Sequence, residues 1–208
     1  MEKQSNQILV RRRAGWLLFS MSAMMTVPLV SIMLHKPDFW SELFGINETI
    51  FRIPLAWMLA SGITLGYVIY TMRVVPMVRN NLWKLSWLKF IGIFAALISG
   101  IFEELFFRAR LMDWLNNNSI NVLWQIFASA FVFGVAHGLW GLFSRDKRII
   151  IPTILSTFVL GGLLAITYIV GERNLLPCIL SHLTINLIIE PWLILSAITG
   201  SDGEKTSD

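Results

Sequence analysis

Six runs of about twenty mainly apolar residues, roughly 15–34, 51–72, 87–111, 120–142, 149–171 and 174–199, dominate this 208-residue chain. A helix of about that length crosses the hydrocarbon layer of a bilayer, where backbone N–H and C=O groups must be bonded internally. The expected fold is therefore all-α: a polytopic integral membrane helix bundle of about six transmembrane helices. Composition agrees. Hydrophobic residues make up 55% of the chain and charged residues 14%, against about 25% charged in soluble domains. The first run follows "RRRAG", which looks like the basic start of a signal peptide. Its apolar stretch is too long and has no small-x-small cleavage site, so it reads as a retained span.

An even number of spans puts both termini on one side, and Lys and Arg decide which side that is. Twelve of the 17 basic residues fall at the N-terminus, the 73–89 connection, the "SRDKR" connection at 144–148 and the tail. Both ends are expected to be cytoplasmic, in a prokaryotic plasma membrane. The net charge of +4 marks topology, because the basic residues sit at the ends of apolar runs instead of lining a nucleic-acid-binding face. No nucleic acid partner is expected. Residues 1–208 read as one membrane domain, with a short polar tail at 200–208 expected to be disordered. "NET" at 47–49 and "NNS" at 117–119 fit the glycosylation sequon, a tripeptide common by chance. The single cysteine, Cys178, excludes an internal disulfide.

Ionisable side chains inside spans are costly and mark functional or paired sites. Glu103, Glu104, Arg108, His137, His182 and Asn186 stand out here. Residues four apart share a helix face, so Glu104 is expected to pair with Arg108, while Glu103 points about 100° away and stays free. His182 and Asn186 repeat the four-residue spacing on the last span. Glu190 continues that stripe and precedes Pro191; it reads as a helix-end residue near the cytoplasmic interface. His35 falls in an external loop.

A carboxylate, two imidazoles and a carboxamide in a membrane pocket suit peptide hydrolysis without a covalent intermediate. The carboxylate takes a proton from water as it attacks a carbonyl, and a neighbouring imidazole holds that water and passes the proton on. The other imidazole and the carboxamide donate to the oxyanion, each donor contributing roughly 3 to 4 kcal/mol. Cys178 and Ser181 make poorer nucleophiles, having no placed base beyond a sequence-adjacent histidine.

"EELFFR", "FGVAH" and "HLTIN" resemble the EExxxR, FxxxH and HxxxN motifs of the CPBP or Abi family. That family includes type II CAAX prenyl proteases and bacteriocin-processing or self-immunity proteins. The motifs occur in the family's order over residues 103–186, a little under half of the chain. The resemblance implies a metal-independent glutamic-type intramembrane protease. Glu103 would be the general base on a water shared with His137, and His182 and Asn186 the oxyanion hole. Glu104 and Arg108 would brace the site and Phe133 would back the His137 imidazole. The partners implied are membrane lipid and a membrane-associated peptide or protein substrate, with no cofactor and no metal.

Depth along the spans poses a difficulty. Glu103 and His182 fall in the middle or outer half of their runs, whereas His137 falls toward the cytoplasmic end of its run. Either the third helix runs on through "RARLMDWL" and tilts, or the fourth begins late. Three other readings use the same residues. A zinc protease would take Glu103, His137 and His182 as ligands, although HExxH is absent. A proton-coupled transporter would use them as a relay. A noncatalytic immunity or scaffold protein would tolerate alanine at Glu103. Substrate identity and oligomeric state are not encoded in any motif here.

Overall fold

The computed structural model describes residues 2–35, 48–139 and 147–199. The polar tail at 200–208, Asn47 of the first sequon, residues 140–142 of the fourth run and most of the 144–148 connection lie outside the described residues. Six main helices succeed one another: α1 (Glu2–His35), α2 (Pro54–Val74), α3 (Trp87–Asn117), α4 (Val122–Gly138), α5 (Lys147–Val170) and α6 (Leu176–Thr199). One-turn pieces at Glu48–Phe51 and Pro76–Asn81 join them, and no strand occurs among the described residues. Five helices are long and apolar enough to cross a membrane, and α4 is a shorter apolar helix. The chain is a polytopic helical bundle of the integral membrane class, as its apolar runs require.

Local chemistry sets the helix starts. Pro54 occupies the first turn of α2, where its missing N–H costs nothing. The Ser86 hydroxyl accepts from the Lys89 N–H to open α3, and the Asn121 side chain accepts from the Leu123 N–H to open α4. Within α3 the residues Leu105–Met112 form a π-helical segment before α-helix resumes at Asp113–Asn117. The third helix thus runs six residues beyond the apolar run that announces it. Wider π turns of this kind recur at functional sites.

The depth difficulty disappears with that extension. Counted from the tight 118–121 turn, Glu103 lies 14 residues before Asn117 and His137 lies 15 residues after Val122. The two side chains are level.

A polar clamp near this turn ties three helices together. The Arg173 guanidinium donates to Asp113 Oδ1 of α3 and to Gln125 Oε1 of α4, each at 2.6 Å. The Tyr168 hydroxyl of α5 donates to Asp113 Oδ2 at 3.0 Å. Glu172 and Arg173 adopt left-handed backbone, with φ of 54° and 63°. For side chains with a Cβ this costs about 1–3 kcal/mol each, which the clamp's charge-assisted hydrogen bonds offset. From the clamp, ten residues lead back from Asp113 to Glu103, twelve lead on from Gln125 to His137, and nine lead on from Arg173 to His182.

The α6 helix is the most enclosed of the five long helices and packs on α3, α2 and α1, while α4 lies chiefly on α5 and the π segment. Small residues allow the closest approach of α3 to α6. A Cβ at Gly100 would stand 3.2 Å from Leu183 Cα, and one at Gly92 would stand 2.1 Å from Pro191 Cγ.

The second of these contacts corrects the reading of Glu190. Pro191 has no N–H to bond the Leu187 carbonyl, which would ordinarily break a helix. The Lys89 ammonium reaches across from α3 to bond the Leu187 and Ile188 carbonyls instead. The α6 helix therefore continues to Thr199. Glu190 is an interior helical residue facing a cavity, not a helix end.

Candidate active site

Three helices deliver the side chains. Glu103 and Glu104 end the α-helical part of α3, Arg108 sits in the π segment, Phe133 and His137 project from α4, and His182 and Asn186 from α6. Gly161 of α5 adds a backbone carbonyl.

Glu104, Arg108 and His182 form a buried polar core. The Arg108 guanidinium donates to Glu104 Oε1 at 2.9 Å and to the Gly161 carbonyl at 3.1 Å. His182 Nδ1 donates to the same Glu104 oxygen at 2.7 Å. Glu104 and Arg108 are fully buried, and His182 is nearly so. The ion pair expected from the four-residue spacing is present. It has a third member that spacing along one helix cannot reveal. An unpaired charge at this depth would carry a large desolvation penalty, so the three groups depend on one another.

Glu103 is held differently. Its Oε2 is buried and has no hydrogen-bond partner among the described residues, yet it faces His137 Nε2 at 3.7 Å and His182 Nε2 at 3.8 Å. Those separations exceed a direct hydrogen bond and suit a bridging water. His137 Nδ1 donates to the Phe133 carbonyl at 2.9 Å. With Nδ1 of each imidazole donating, to a carbonyl in one case and a carboxylate in the other, each Nε2 is left directed at Glu103.

Phe133, fully buried, is the plate on which these groups assemble. Its ring centroid lies 4.4 Å from that of His137 and 5.5 Å from that of His182. The Arg108 guanidinium carbon lies 4.9 Å from its centre, within cation–π range. Phe107 meets it edge-on at 5.1 Å. The Ser129 hydroxyl of α4 donates to the Phe107 carbonyl, tying the plate's helix to the π segment.

Asn186 bonds a different residue of α3. Its Nδ2 donates to the Ser99 hydroxyl at 3.2 Å. Ser99 is a residue that the search for ionisable groups passed over. The available signal is its position one turn before Glu103 on the same face of α3, since a hydroxyl there shares the carboxylate's outlook.

Glu103, His137, His182 and Asn186 all line one cavity of about 590 Å³, within the size range of sites that enclose a ligand. From this end it runs between α1, α2, α5 and α6 to Pro76, Asn81 and Thr199. Its wall mixes apolar groups such as Met21 and Leu160 with hydroxyls such as Tyr67 and Thr157. Among the described residues, no group of three His, Cys, Asp or Glu side chains is arranged to hold a metal ion. Cys178 is buried, with its thiol on the Leu164 carbonyl. The Ser181 hydroxyl is engaged with Thr64 of α2 at 2.9 Å.

The family model described as Type II CAAX prenyl endopeptidase Rce1-like matches residues 85–188. This is half of the chain, and it contains every side chain of the cluster just described. The chain belongs to this family. Membership of the Rce1-like endopeptidases makes it a membrane protease in general class, with a lipid surrounding and a peptide or protein substrate. No curated protein and no solved structure matches the chain at a significant level. The α1 and α2 helices lie outside the Rce1-like match, yet both contribute to the cavity wall.

Proposed function

We propose that this single-domain chain is a metal-independent, glutamic-type intramembrane endopeptidase that hydrolyses a peptide bond of a membrane-associated protein or peptide. The observation carrying this reading is the unpartnered Oε2 of Glu103 set between two imidazole Nε2 atoms at the end of a cavity. A water bound there attacks the scissile carbonyl carbon as Glu103 removes one of its protons. The carbonyl oxygen becomes the oxyanion of a tetrahedral intermediate. His137 holds the water through Nε2 and helps return the proton to the amide nitrogen as the C–N bond breaks. The products are a carboxylic acid and an amine.

His182 and Asn186 face the developing oxyanion. Because its Nδ1 proton is engaged by Glu104, His182 donates through Nε2 only as the imidazolium. Glu104 on the far side of the ring fixes the orientation of that imidazole. Asn186 supplies a carboxamide N–H, with Ser99 holding it until substrate arrives.

The Lys and Arg distribution supports cytoplasmic termini and a prokaryotic plasma-membrane setting, so substrate approaches along the cavity from the cytoplasmic side. The test compares N- and C-terminal peptides in membranes from cells expressing the wild type, Glu103→Ala or His137→Ala at matched levels. New termini that require the wild type establish proteolysis and identify a substrate. Identical termini in all three, with a host phenotype that persists in both variants, would overturn the reading in favour of a noncatalytic immunity or scaffold role.

A further inference from the structure

Among the described residues, Glu190 is the one carboxylate of the cavity wall that the proposed hydrolysis does not use. It lies one turn beyond Asn186 and two beyond His182 on the same stripe of α6, and it lines the same cavity. Its Oε2 is buried without a hydrogen-bond partner among the described residues. Lys89, which reaches α6 at the preceding turn, commits its ammonium to the Leu187 and Ile188 carbonyls. A carboxylate is expensive to bury without a partner, and the described residues of the bundle supply none to this oxygen. A group admitted by the cavity is left to supply it.

We propose that Glu190 is a specificity subsite that binds a cationic group of the substrate, a Lys or Arg side chain, at a fixed distance from the scissile bond. The proposal rests on the endopeptidase reading. Eight helical residues separate His182 from Glu190, about 12 Å along α6 at 1.5 Å per residue. An extended peptide advances about 3.3 Å per residue, so a chain lying along α6 with its scissile carbonyl at His182 presents its basic side chain about three or four residues away. The remaining lining near this turn is largely apolar, with Ile189, Leu193 and Ile194 beside Glu190. Such surroundings strengthen a charge-assisted contact over its contribution in water. A substrate bearing an acidic group at that position is rejected by the same carboxylate.

The test separates binding from turnover. Full-length protein carrying Glu103→Gln is reconstituted in lipid nanodiscs and titrated with a fluorescent apolar peptide series. A single Lys is moved through successive positions, with norleucine and Glu series as controls. The expected result is one position, or two neighbouring ones, where Lys improves affinity about tenfold or more over norleucine. Glu190→Gln, close in shape and still able to accept a hydrogen bond, brings that ratio to about one, and Glu190→Lys turns the preference toward the Glu peptide. Thermal melts in the same nanodiscs identify a variant that has not folded, and Glu190→Asp then serves in its place, with the preferred position displaced or weakened. A Lys preference that survives Glu190→Gln, or no Lys preference at any position, overturns the proposal. The same peptides are offered to the Glu103 protein to read cleavage. Lys-dependent binding without cleavage speaks against hydrolysis and keeps the subsite, whereas cleavage indifferent to Lys removes the subsite and keeps hydrolysis.

Discussion

His182 Nδ1 and Arg108 Nη1 converge on one oxygen of Glu104, at 2.7 Å and 2.9 Å. A residue assigned from the sequence to brace an arginine therefore also fixes the orientation of an imidazole on another helix. Glu104→Ala leaves Arg108 buried with only the Gly161 carbonyl, and breaking such a buried pair costs about 3–5 kcal/mol. The expected result is a strongly lowered melting temperature. Glu104→Gln keeps a hydrogen-bonding oxygen but weakens the charge-assisted contact that orients His182, so its kcat falls more than its stability does. Thermal melts and steady-state kinetics on the two variants check this split.

Glu103→Gln is expected to behave in the opposite way. It reduces peptide hydrolysis by about 10²–10⁴-fold, the usual contribution of a positioned general base. Folding is unharmed, because the replaced oxygen has no partner to lose. The variant melts at or above the wild-type temperature. A matched loss of activity and stability would point to a structural carboxylate. Strong chelators are expected to leave wild-type turnover unchanged; inhibition reversed by added zinc would favour the metalloprotease alternative.

The Asn186–Ser99 contact of 3.2 Å lets the proposed oxyanion donor be tested apart from its holder. Asn186→Ala is expected to lower kcat by about 10²–10³-fold with little change in KM, as for the loss of one oxyanion donor. Ser99→Ala removes only the positioning contact, so its loss is smaller and disappears in the Asn186→Ala background. The double-mutant cycle measures that coupling.

Lys89 and Pro191 form a pair that can be exchanged. Lys89→Met leaves two α6 carbonyls without their ammonium, at a cost of about 1–3 kcal/mol for groups stranded away from water. Pro191→Ala restores the N–H to Leu187 and is expected to recover much of that loss in the Lys89→Met protein, while gaining less in the wild type. Melting temperatures of the four proteins give the answer.

The architecture was largely legible because a bilayer turns apolar length directly into helix number. The third and fourth runs show where the reading stopped short. Apolarity ends near Leu111, but α3 continues through Asp113 and Trp114, since Arg173 and Tyr168 engage the Asp113 carboxylate that hydropathy alone would place outside. The same blindness made His137 look misplaced in depth. At the candidate site, four-residue spacing revealed contacts within one helix, such as Glu104 with Arg108. The bond from His182 to Glu104, 78 positions apart, arises only from packing. Glu190 was misread for a related reason: Pro191 signals a helix end locally, and the lysine that overrides it sits on another helix. Ser99 was missed because a lone hydroxyl in an apolar run is ordinarily satisfied by its own helix.

The clamp at Arg173 works as a ruler. Ten, twelve and nine residues measured from its three contact points bring Glu103, His137 and His182 to a common level. Each added or deleted residue turns a helix by about 100° and shifts the rest of that helix by about 1.5 Å. The stretches 103–113, 125–137 and 173–182 can therefore exchange side chains much more readily than they can change length. A single-residue deletion in any of them would swing a reacting group out of line while leaving hydropathy almost untouched. Lengthening the connections on the opposite face would alter no such measure.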